Sequence, residues 1–226
     1  DANLGSYDET RKGFSWAEEE KRYGIDGEAR INIVSLSVDR WAEDPDTADR
    51  PALLFEQSGE VRTFSYRRLR EASCRWANLL HSQGLQPGER LFVFLPPCPE
   101  THLAMIGCAR LGVIFCNLFS TSTYGEMEVR IRNARPAAIL THPDLAEQLP
   151  ADAMEGVRRV FLIRGPLPGA LPNEILVEDR AGRMSPEFEN HRLPRRAPLY
   201  LNYTSGSTGT PKGIVHAHRD LLGMGA

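Results

Sequence analysis

The chain has 226 residues, 41% of them hydrophobic and 25% charged, with a formal net charge of −3. That balance suits a globular protein with a sizeable core and excludes a disordered or fibrous chain. No Lys/Arg block marks a nucleic-acid or anionic-membrane surface, and no run approaches the roughly 18 apolar residues of a membrane span, so neither partner is expected.

Residues 1–30 are polar and end in Gly24-Ile25-Asp26-Gly27, which reads as a loosely attached leader. Ile31 to Trp41 is expected to be helical, and Pro45 and Pro51 bound a loop. The runs Pro51–Phe55 and Val61–Phe64 flank Ser58-Gly59 and predict a hairpin. Ser65 then caps a helix whose Tyr66, Leu69, Ala72, Trp76 and Leu79 share one face, and Gly84 fits the left-handed position past its end.

From there the chain alternates. Leu91–Leu95 is an unbroken apolar run of the kind buried on both faces of a parallel sheet. Pro99 to Leu111 is a helix opened by proline and closed at Gly112. Val113–Cys116 is a strand, Tyr124–Arg132 a helix, Ala137–Thr141 a strand, Pro143–Leu149 a short helix and Val160–Ile163 a strand. This order predicts an α/β fold: an open, largely parallel sheet with helices on both faces. Residues 165–198, rich in proline, read as an irregular connection, with Arg192, Arg195 and Arg196 a solvated linker. The charges at Glu126, Glu128, Arg130 and Arg132 read as a solvated helix face. Cys74, Cys98, Cys108 and Cys116 form no C-x-x-C pair and are expected as buried free thiols, which favours a reducing, cytoplasmic setting.

The most informative segment follows the strand Leu199–Tyr203. It is Thr204-Ser205-Gly206-Ser207-Thr208-Gly209-Thr210-Pro211-Lys212-Gly213, after which Ile214–His218 returns as a strand. Gly206 and Gly209 let the backbone turn tightly and present N–H groups to an anion. Hydroxyls of Thr204, Ser205, Ser207, Thr208 and Thr210 crowd the same spot, and Lys212 supplies one positive charge for a phosphate oxygen. A flexible linker has no use for a single lysine between two apolar strands. A Walker A loop would need Gly before that lysine and Ser or Thr after it; Pro211 and Gly213 stand there instead.

Tyr203 to Gly213, YTSGSTGTPKG, resembles the phosphate-loop signature of the adenylate-forming enzymes: acyl-CoA synthetases, peptide-synthetase adenylation domains and luciferases. The resemblance extends upstream through Thr63–Leu69, Gly84–Pro96 and Ala109–Val113. The opening from Asn32 to Trp41, the Pro96–Glu100 turn and Gly213–His218 are similar to short-chain, acetate-activating synthetases; aryl-CoA ligases of the benzoate type share related openings. The resemblance implies that residues 31–226 form the N-terminal part of the AMP-binding domain, broken off after the phosphate loop. It implies ATP and Mg²⁺, a small carboxylic acid as substrate and CoA as acceptor. Thr204 and Lys212 would serve the chemistry, and Thr204, Ser205, Gly206, Ser207, Thr208, Gly209, Thr210 and Lys212 would bind the nucleotide. The adenine, ribose and hinge elements and a catalytic lysine of that family belong to a longer chain, so the fragment alone is expected to be inactive. Competing readings are a carrier-protein-loading adenylation domain and a non-catalytic nucleotide-binding fragment. His216 and His218, at i and i+2, could share a metal, but no third ligand is identifiable and packing is the preferred reading.

Overall fold

The computed structural model describes residues 6–165, 174–204 and 211–220. Two short helices, α1 (Tyr7–Gly13) and α2 (Trp16–Arg22), lead to β1 (Arg30–Ile31), a π-helical turn (Ser35–Asp39) and α3 (Arg40–Glu43). A hairpin of β2 (Pro51–Gln57) and β3 (Glu60–Ser65) precedes α4 (Tyr66–Ser82). The alternating part runs β4 (Arg90–Leu95), α5 (Pro99–Leu111), β5 (Ile114–Phe119), α6 (Tyr124–Ala134), β6 (Ala138–Thr141), α7 (Pro143–Ala146) and β7 (Arg159–Leu162). It closes with β8 (Glu174–Leu176), α8 (Val177–Ala181), β9 (Leu193–Pro194), β10 (Pro198–Thr204) and β11 (Lys212–Ala217).

Local chemistry accounts for most boundaries. Ser58 (φ 56°) and Gly59 (φ 84°) are both left-handed, the conformation a two-residue hairpin needs to match strand twist. The Ser65 side chain accepts from the Arg68 N–H at the start of α4. Gly112 (φ 84°) ends α5. Thr123 and Glu126 form a reciprocal capping box that starts α6.

The main sheet has the order β11-β10-β5-β4-β6-β7-β8. All neighbours from β10 to β8 are parallel, and β11 pairs antiparallel with β10. Alternation along the strands sends residues to opposite faces. Leu91, Val93 and Leu140 join a core under α4 and α5; Phe92, Phe94 and Ile139 join a second core with Met127 and Ile131 of α6. The sheet is therefore covered on both faces, as the alternating pattern requires. All four cysteines are buried free thiols. Burial pushes each thiol up, that of Cys116 to about 12, so none is a thiolate nucleophile.

Three segments differ from expectation. The connection 165–198 is not wholly irregular: β8 adds a parallel edge strand beside β7, with Ile175 buried, and α8 follows it. Its prolines Pro166, Pro168 and Pro172 lie outside the described residues. The arginines of that connection are not all solvated. Arg195 pairs with Glu20 at 3.1 Å and donates to the Ile25 carbonyl, and Arg192 pairs with Glu28. With β1 on β9 and Ile25 in the core, these contacts fasten the polar N-terminal segment to residues 192–195. Finally, Arg130 leaves the solvated face of α6: it is buried and donates to the Ser122 hydroxyl at 3.0 Å.

Asn32 explains why the opening helix sits where it does. The buried Asn32 side chain accepts from the Val34 N–H and donates to the carbonyls of Ala109 and His191. One residue thus caps the helix and ties it to α5.

Candidate functional site

Parallel strands β4, β5 and β10 end together at Leu95, Phe119 and Thr204. The C-terminal edge of an open parallel sheet is where ligands of α/β proteins bind, because loops rather than hydrogen-bonded strands leave it there. A cavity of about 420 Å³ opens at this edge, lined among others by Pro97, Cys98, Thr101, Asn117, Phe119 and Ser120.

The hairpin of β10 and β11 delivers the glycine-rich segment to the same edge. Register pairs Tyr203 with Gly213 and Thr204 with Lys212, so the two residues expected from the sequence to serve the chemistry lie opposite each other where the described hairpin ends. Both are exposed. Ser205, Gly206, Ser207, Thr208, Gly209 and Thr210 lie outside the described residues.

What braces this hairpin was not evident from the sequence. Tyr203 donates its hydroxyl to the Asn133 Oδ1 at 2.7 Å, and the Arg130 guanidinium lies 5.9 Å from its ring centroid. Burial, with a smaller contribution from Cys116, pushes the phenol up to about 12, so it stays a hydrogen-bond donor. A Cβ at Gly213 would come within 3.0 Å of Leu201 and 3.4 Å of Tyr203. Glycine there lets β11 lie against the tyrosine ring.

His216 and His218 do not form a metal pair. His216 stacks on Tyr200, with ring centroids 4.4 Å apart and planes 12° from parallel. His218 is fully buried beyond the end of β11, and its Nδ1 accepts from the Ile33 N–H at 3.3 Å. Burial lowers its pKa to about 4, so the ring is neutral with its proton on Nε2. Among the described residues no group of three His, Cys, Asp or Glu side chains could hold a metal ion.

An open, largely parallel sheet covered by helices on both faces, with the β10–β11 hairpin at one edge, defines an α/β class of protein. The profile of the family described as AMP-binding enzyme matches residues 38–225, and the chain belongs to that family. It is 30% identical over 223 residues to the acetyl-coenzyme A synthetase of Bacillus subtilis (strain 168), which spans 98% of this chain and 39% of that protein. It is 32% identical over 220 residues to the acetyl-coenzyme A synthetase of Syntrophus aciditrophicus (strain SB), 87% of this chain and 34% of that protein. Among solved structures, a Brucella canis acyl-CoA synthetase superposes with a TM-score of 0.87 at 23% identity, covering 98% of this chain and 40% of that one. An anthranilate CoA ligase in complex with anthranoyl-AMP superposes with a TM-score of 0.74 at 23% identity, covering 85% and 36%. At that identity the two structures share the fold. The chain thus spans well under half the length of the relatives it matches.

Proposed function

We propose that the protein is an AMP-forming acyl-CoA synthetase, and that residues 31–226 are the N-terminal part of its adenylating domain. The observation that carries this reading is the pairing of Thr204 with Lys212 at the mouth of the hairpin, on the ligand-binding edge of the sheet. In this reading a substrate carboxylate oxygen attacks the α-phosphorus of ATP. The new O–P bond forms as the bond to pyrophosphate breaks, leaving an acyl-adenylate. The CoA thiol then adds to the acyl carbonyl, loses its proton, and expels AMP. Lys212 offsets the charge that builds on leaving pyrophosphate, and Thr204, Ser205, Ser207, Thr208 and Thr210 donate hydrogen bonds to the phosphate oxygens. Hydroxyls of Thr204, Ser205, Ser207, Thr208 and Thr210 are hard oxygen donors of the kind Mg²⁺ takes, and the ion would supply charge neutralisation at the phosphates.

The substrate class is a short carboxylic acid such as acetate. The names of the curated relatives support this, as do the Pro96–Glu100 and Gly213–His218 segments. Four buried free thiols support a cytoplasmic setting.

Two measurements test the reading. Lys212→Ala in the full-length protein should lower pyrophosphate–ATP exchange about a hundredfold, the scale of one lost transition-state donor; unchanged exchange and unchanged ATP affinity by calorimetry refute the assignment. In a panel of acids, acetate or a neighbouring short acid should give the highest specificity constant. A substituted benzoate ranking first, with acetate at background, overturns the short-chain assignment and leaves the adenylating reaction standing.

A further inference from the structure

Five arginines lie between β3 and the middle of α4, and their partners are unequal. Arg67 pairs with Asp49 at 3.0 Å, and Arg70 lies between Asp39 and Glu43. Arg62 reaches Glu100 only at 3.9 Å, and Arg75 is held by the backbone carbonyls of Gly182 and Met184, which leave its charge unneutralised. The Arg68 side chain has no hydrogen-bond or ion-pair partner among the described residues. Arg62, Arg68 and Arg75 line one groove of about 440 Å³ with Thr63, Phe64, Glu71 and Ala72. Three guanidinium groups there face one carboxylate.

We propose that this groove binds a phosphate-bearing small molecule, at a site separate from the loop between Thr204 and Lys212. Guanidinium forks match phosphate oxygens in charge and geometry. Carbonyl contacts hold Arg75 in place before a ligand arrives, which lowers the ordering cost of binding. The Phe64 ring and Ala72 give an apolar wall for whatever carries the phosphate. The chain's net charge of −3 disfavours a nucleic-acid track.

Equilibrium dialysis of the full-length protein with radiolabelled inorganic pyrophosphate tests this. Two equivalents should bind. Arg68→Ala and Arg62→Ala, both at exposed positions, should each weaken one equivalent by at least about tenfold, the scale of one charged hydrogen bond. Circular dichroism should show the fold intact. Lys212→Ala should weaken the other equivalent, so failure of the loop assignment and failure of the groove are read separately. Displacement by AMP at lower concentration than by inorganic phosphate assigns a nucleotide to the groove; the reverse order assigns a free phosphate. A single equivalent lost only with Lys212→Ala, or arginine variants with unchanged stoichiometry and affinity, overturns the proposal.

Discussion

Arg110 is the largest fully buried side chain in the described structure, and it invites a double-mutant cycle. Its guanidinium makes a two-pronged contact with Asp39 at 2.7 and 3.0 Å, donates to Asn190 Oδ1 at 2.8 Å and donates to Ser73 Oγ at 3.0 Å. Asp39 also accepts from Asn190 Nδ2 at 2.6 Å and lies 3.7 Å from Arg70. Asp39→Leu leaves a cation 1% exposed with only neutral partners, and removing one member of such a pair costs about 3–5 kcal/mol. Arg110→Met leaves Asp39 with Arg70 and Asn190, so its cost should be smaller, about 2 kcal/mol. With both replaced, no buried charge is orphaned, and the remaining loss is about 1–2 kcal/mol for the stripped Asn190 and Ser73 contacts. The expected coupling is therefore at least about 2 kcal/mol. Urea unfolding followed by tryptophan fluorescence measures it. On heating, Asp39→Leu should lower the midpoint by about 6 °C or more, at about 2–4 °C per kcal/mol for a domain of this size. Single effects that add to the double within about 0.5 kcal/mol would mean the two residues act independently, contrary to the contact geometry.

Two further outcomes follow from packing. His218 is neutral in the folded protein, with its pKa lowered from 6.5 to about 4, whereas the unfolded chain takes up its proton near 6.5. Its contribution is fully present above pH 6.5 and is lost as pH falls towards 4, by up to about 3 kcal/mol; urea midpoints across that window should flatten in His218→Gln, and equal slopes would count against the assignment. In Gly107→Ala the new Cβ would meet the Trp76 Cβ at 2.7 Å and the Ala77 nitrogen at 3.1 Å, where α5 crosses α4. Because those atoms belong to or adjoin a helix backbone, the variant should lose about 1–3 kcal/mol despite alanine's better helix propensity, with a shift in tryptophan emission as the local readout.

Local pattern carried most of the architecture. The Ser65 cap, the Gly112 stop and the Ser58-Gly59 turn are each decided within a few residues, by side-chain acceptors and by glycine's access to positive φ. The unbroken run Leu91–Leu95 announced a strand covered on both faces, and that strand lies in the middle of the sheet. The glycine- and hydroxyl-rich segment between two strands carries the expectation of a phosphate loop in its residue types alone; its residues 205–210 lie outside the described structure. Pairing and burial were decided elsewhere. β8 is three residues long and became a strand because β7 offered it an edge. β10, sixth of the parallel strands in the chain, inserts beside β5, a neighbour chosen by the tertiary fold and not by sequence order. Arg130 and Arg110 carry nothing in their own windows to separate them from surface arginines. Asn133 and Tyr203 stand 70 residues apart, and Asp39 and Arg110 stand 71 apart. The buried Arg110 charge is stable in the interior only because Asp39 arrives from a distant segment, and only the folded chain brings the two together.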